Sequence, residues 1–190
     1  MKNIFMVLVC LVVSFSFSAH ASREKDSHEH GAANVMLAME GEKLQLNFEV
    51  PSESLIGFEH FPKSQDQRWY FNEAIKSLLE PSKLFSIPAD AECLLVGINV
   101  SQSLFAAKDE HGHEEKDEHG HDESEKSEIH SEFISKYHWN CEHLDEIDSI
   151  GTQLMNIFPR IEEIRVRWIT KNNQGSIELE SKDDRIKGWK

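Results

Sequence analysis

Two near-copies of one octet, Asp109-Glu110-His111-Gly112-His113-Glu114-Glu115-Lys116 and Asp117-Glu118-His119-Gly120-His121-Asp122-Glu123-Ser124, hold the side chains of this sequence best suited to chemistry. Each copy sets a His-Gly-His pair among carboxylates, the ligand chemistry that borderline divalent metals such as zinc favour. Gly112 and Gly120 carry no Cβ, so the imidazoles of His111 and His113, or of His119 and His121, can turn toward one ion. The stretch reads as a metal-collecting loop.

Composition explains why it reads as a loop rather than an element. From Lys108 to Glu128 there are four His, ten Asp or Glu and three Lys, and nothing apolar. Such a segment cannot bury enough surface to offset the entropy of ordering it. A disordered loop over residues 106–128 is therefore expected until metal binds. An imidazole at its reference pKa is largely neutral at neutral pH and offers a nitrogen lone pair, while the acids raise the local cation concentration. The same acids favour imidazolium, so metal affinity should weaken as the medium turns acidic. A solvated acidic linker with incidental His is the competing reading. Recurrence at fixed spacing argues against it, and an engineered tag would be terminal and uninterrupted.

The remaining chain must position these ligands, and its start says where. Residues 1–21 look like a secretory signal: Lys2 gives the positive start, Ile4 to Val13 an apolar run too short to span a bilayer as a helix, and Ala19-His20-Ala21 the small-x-small cleavage pattern. Cys10 would leave with it. Cutting there takes one of the 20 basic residues and none of the 34 acidic ones, moving the formal charge from −14 to −15. Nucleic acid and anionic lipid become poor partners, and no membrane insertion is expected after cleavage. Residues 22–190 suit a single zinc-binding domain with the loop inserted, expected to be monomeric.

Export makes Cys93 and Cys141 the mature cysteines, and in an oxidising compartment such a pair flanking a long loop is most simply a disulfide. It would clamp the two stems of the loop and, in the chain-entropy model, contribute on the order of 4 kcal/mol. Thiolate ligation of metal is the alternative.

Periodicity supplies the elements. Ala33, Val35, Leu37 and Met39 alternate with their neighbours, Glu40-Gly41-Glu42 makes a tight turn, and Leu44, Leu46, Phe48 and Val50 alternate again, a β-hairpin with one buried face. A connection from Ser52 to Pro62 holds Glu59 and His60 between Phe58 and Phe61, both expected to anchor it in the core. Ser64 with Gln67 spells a capping box for a helix with a Phe71, Ala74, Ile75, Leu78, Leu79 stripe, stopped by Pro81. Leu84 to Pro88 reads as a turn on the core, and Ala91 to Val100 as a strand buried on both faces. Ile129 to Cys141 reads as a strand with Ile129, Phe133, Tyr137, Trp139 and Cys141 on one side and His130, Glu132 and His138 on the other. Leu144 to Phe158 reads as a helix on the spacing of Ile147, Ile150 and Leu154, with His143 a surface residue at its start. Ile164 to Leu179 makes a closing hairpin, and the tail from Lys182 is polar.

His28 and His30, two apart, share a face if extended, and could point at one ion; a frayed terminus with surface His is the alternative. His130 and Glu132 repeat that spacing. Each half of the chain has a His-bearing strand start, a helix ended by proline, then a strand. A pseudo-repeat follows, with one shared metal site where the two strand starts face each other.

His28-Glu29-His30-Gly31, Gly57-Phe58-Glu59-His60, His130-Ser131-Glu132-Phe133 and Tyr137-x-Trp139-x-Cys141, with an acidic His-rich insertion between the halves, resemble the zinc-regulated periplasmic zinc-binding proteins of the ZrgA type found in Gram-negative bacteria. The resemblance covers most of the mature chain. It implies an α+β protein of two similar halves of antiparallel strands, each with a helix, a central zinc site and a His-rich loop. It also implies a periplasmic role in zinc homeostasis, presenting zinc to an uptake system of the ATP-binding-cassette (ABC) kind. Carried over, His30, Glu59, His60, His130 and Glu132 become central-site residues, and His111, His113, His119 and His121 the loop collectors.

Two rivals remain. A storage or resistance protein for zinc, nickel or cobalt would share every binding feature. A zinc-dependent hydrolase would need an open coordination position and a base such as Glu59 or Glu132, but neither a His-Glu-x-x-His helix nor a nucleophile elbow is present, so no enzyme is expected. Copper is disfavoured because the mature Met residues, Met36, Met39 and Met155, form no cluster in sequence.

Overall fold

Alternation of apolar and polar residues makes one sheet face dry, and the fold is built on that face. The computed structural model describes residues 30–103 and 131–190; the expected leader (1–21), His28, the His-rich loop (106–128) with its four histidines, and His130 lie outside the described residues. The hairpin forms as its pattern dictates: β1 (Ala32–Glu40) and β2 (Lys43–Pro51) pair antiparallel across a two-residue turn in which Gly41 adopts φ 62°. A left-handed φ at that position suits the twist of a tight hairpin and costs glycine little.

After β2 come a short helix α1 (Ser52–Ile56), a connection, then α2 (Gln65–Leu78) and α3 (Pro81–Leu84). The capping box at α2 is formed: Gln67 N donates to Ser64 Oγ at 3.1 Å and Ser64 N to Gln67 Oε1 at 3.3 Å. Next are β3 (Phe85–Ser86), β4 (Cys93–Gln102), β5 (Glu132–Cys141), β6 (Ser149–Thr152), α4 (Leu154–Ile157), β7 (Glu163–Thr170), β8 (Gln174–Leu179) and β9 (Arg185–Lys187). The protein is mixed α+β, dominated by strands.

Among the described residues there are two sheets, one of six strands in the order β4-β5-β2-β1-β7-β8 and one of three in the order β3-β6-β9. Every pairing is antiparallel except β1 with β7. Hence β1, β5 and β7 all begin at one end of the large sheet, where β2, β4 and β8 finish. Its inward face carries Val35, Leu37, Leu46, Phe48, Phe133, Tyr137, Ile164 and Val166, all buried, while Lys136 and Arg167 on the other face meet solvent. α2, α3, α4 and the small sheet cover the inward face with Leu78, Leu84, Ile150, Leu154 and Ile186 in one core. Tyr137 ties the layers: its hydroxyl donates to Leu78 O at 2.8 Å, and burial pushes its pKa up to about 12.

Five expectations are corrected. The strand over Ala91 to Val100 is not buried on both faces: among the described residues β4 ends the large sheet and pairs with β5 alone, leaving Leu94 72% exposed and Leu95, Val96 and Ile98 exposed as well. An apolar run cannot tell a central strand from an edge. Leu144 to Phe158 is not a helix but a single turn (Leu144–Glu146), strand β6 and the one-turn α4. Ile147, Ile150 and Leu154 are inward as their spacing asks, yet the backbone satisfies itself by pairing with β3 and β9. Gly151 permits this, since a Cβ there would lie 2.8 Å from both Ser86 Oγ and Arg185 Nη1. The tail from Lys182 is not simply polar: Ile186 and Trp189 are buried, and Trp189 Nε1 donates to Ile147 O at 2.7 Å. Phe61 is 39% exposed and does not anchor its connection as Phe58 does. Leu79 lies outside the dry stripe of α2.

Candidate metal centre

The end of the sheet where β1, β5 and β7 begin gathers the predicted ligands that the structure describes. His30 precedes β1, Glu59 and His60 follow α1, and Glu132 opens β5. Backbone and hydroxyl bonds stitch these segments together. Ser52 N donates to Ser131 O at 2.8 Å, Ser131 Oγ to Glu59 O at 3.3 Å, and Glu132 N to Ser103 Oγ at 2.9 Å. Gly31 N donates to Ser54 Oγ at 2.9 Å, and Glu162 N to Gly31 O at 2.8 Å.

Each described histidine here is held by its Nδ1. That of His30 faces Glu53 Oε2 at 3.1 Å, and that of His60 faces Phe61 O at 2.9 Å. A carboxylate or a carbonyl can only accept, so each contact fits the Nδ1–H tautomer of a neutral ring, the form that leaves the Nε2 lone pair for a ligand. This is the arrangement in which metal-binding histidines are usually oriented. The His60 ring also stacks on Phe58, centroids 5.2 Å apart.

Glu53 is a partner the residue pattern did not single out. Its other oxygen takes an ion pair from Arg160 Nη1 at 3.9 Å. Arg160 reaches it over Gly57, whose φ of 86° closes α1 and where a Cβ would sit 2.9 Å from the guanidinium. No motif in the sequence marks it: the hairpin register ends at Asn34 with Glu49, and Glu53 lies beyond it in α1.

Neighbouring segments therefore carry His30, Glu59, His60 and Glu132, though among the described residues this end has no three metal-type side chains with ligating atoms within 4.8 Å of one another. His138 lies on the outward face of β5, away from it. Cys93 and Cys141 pair across β4 and β5 and are disulfide-bonded, at the opposite end. No helix among the described residues is long and apolar enough to cross a membrane.

No curated protein matches the chain. The sequence model described as ZrgA family zinc uptake protein matches residues 27–188, almost all of the chain beyond the expected leader. By that match the chain belongs to the ZrgA family of zinc uptake proteins.

Proposed function

We propose that this chain is exported through its 1–21 leader, captures zinc in the periplasm and presents it to an importer of the ABC kind. In this reading residues 22–190 form one domain of two similar halves, and the ion is held at the end of the sheet where β1 and β5 begin. His30, Glu59, His60, His130 and Glu132 supply the centre, with His28 beside it, and His111, His113, His119 and His121 collect ions from solution. Function is metal capture and delivery, without catalysis.

One observation carries the reading. The strands that lead into and out of the His-rich segment, β4 ending at Gln102 and β5 starting at Glu132, open at the same end of the sheet as His30 and His60. Ser131, covalently next to His130, is bonded to both Ser52 and Glu59. An ion collected along the segment would thus have a short path to imidazoles already held with Nε2 presented. The site at the sheet end would bind tightly, while the His-rich segment, with four imidazoles and many carboxylates, would bind more weakly but take several ions.

Calorimetric zinc titration of the mature chain beside a form lacking residues 106–128 tests this. The deletion is expected to lower the number of ions bound and slow loading while sparing one tight event. Loss of the tight event as well would contradict capture followed by transfer.

A further inference from the structure

The far end of the large sheet, where β4 begins and β5 ends, holds a second set of metal-type side chains. Glu92, Glu142 and His143 place one ligating atom each within 4.8 Å of the others. Their meeting follows from the disulfide: Glu92 precedes Cys93, and Glu142 and His143 follow Cys141, so the bond between those cysteines brings all three together. Two backbone contacts fix the crossing, His143 N to Ala91 O at 3.1 Å and Glu142 N to Glu92 O at 3.5 Å. Among the described residues neither carboxylate is in an ion pair with Lys or Arg, so their oxygens are open to solvent and to a cation.

The spacing suits a small divalent ion. Tetrahedral zinc with bonds of about 2.0–2.2 Å separates its ligand atoms by roughly 3.4 Å, which exposed Glu and His side chains reach from 4.8 Å by small rotations. Three protein ligands leave a fourth position, the mark of an exchangeable rather than a closed site. An independent feature lies on that side. A cleft of about 540 Å³ is lined by Glu92 and Glu142 together with Phe85, Pro88, Leu94 and Trp139.

We propose that Glu92, Glu142 and His143 form a second zinc site with its fourth position open to this cleft, remote from the candidate centre. It holds metal loosely and exchanges it. It depends on the disulfide end alone and stands whether or not the His30 end binds metal.

Titrating the full mature chain with zinc alone while following histidine ring nitrogens by NMR reads each imidazole separately. The His143 ring is expected to shift within the first few equivalents. In Glu92→Gln/Glu142→Gln, which keeps side-chain size, the zinc needed for that shift should rise at least about ten-fold, with His30 and His60 responding as before. A His143 ring that stays put until zinc is in large excess overturns the site. So does a shift that needs the same zinc concentration in the double variant. The His30 and His60 signals in the same spectra report the candidate centre independently.

Discussion

The two ends of the six-stranded sheet bring acids and imidazoles together by different means. At the disulfide end a covalent bond joins the nearest neighbours of Glu92 and Glu142, and the three side chains are already close. At the His30 end the described segments are linked by hydrogen bonds and the Arg160–Glu53 ion pair, and each imidazole is oriented by its own partner, Glu53 or the Phe61 carbonyl. A cross-link sets proximity without setting direction. Hydrogen bonds to Nδ1 set direction and leave the approach of separate segments to the ion, which suits a centre filled from a loop.

The sharpest way to break this contrast is to remove an orienting partner. Glu53→Gln keeps the shape but weakens the hold on His30 Nδ1, and affinity at the tight site is expected to fall about 10- to 100-fold. Glu92→Gln should leave that affinity unchanged, and chelator-competition titrations of the two variants check both. Breaking the cross-link, an effect of at least similar size, tests the other end. Cys93→Ser/Cys141→Ser is expected to lose about 2–4 kcal/mol by denaturant unfolding, to weaken metal binding near His143, and to spare the tight site in the protein that stays folded.

A smaller effect belongs to the shared core. The Tyr137 hydroxyl is buried and bonded to Leu78 O, with its pKa raised from 10.0 to about 12. The folded state therefore holds that proton more tightly than the unfolded chain does. Its contribution is fully present below pH 10 and is lost as pH rises toward about 12. Unfolding titrations across that window should show stability falling, and Tyr137→Phe should flatten the fall while costing about 1 kcal/mol at neutral pH. Smallest is Ser64→Ala, which removes the capping hydroxyl at the start of α2 and is expected to cost about 1 kcal/mol by thermal unfolding.

Legibility in the sequence also divides along this contrast. The β1–β2 hairpin, the α2 cap and the Cys93–Cys141 bond each rest on residues that carry their own instruction: a Gly41 turn, a Ser64 and Gln67 pair, and a lone pair of cysteines beyond the expected leader. Glu53 had no such mark, since it lies in α1 beyond the end of the β1–β2 register. β6 and β9 were hidden because Ile147, Ile150 and Leu154 repeat at helical spacing, while the hydrogen bonds that win come from β3 and from a tail far along the chain. The edge position of β4 was hidden for the same reason, since strand order is set by partners and not by the strand itself. Glu92, Glu142 and His143 carry no motif. They become visible only when the flanking cysteines are joined.

The central claim is that a single tightly held zinc ion sits at the end of the sheet where β1 and β5 begin. Competition between a chelator and the purified mature protein, run beside His30→Ala and His60→Ala, tests it most directly. The native chain is predicted to keep one ion that each variant surrenders at chelator concentrations about 100-fold lower. Variants that hold that ion as firmly as the native chain would contradict the account.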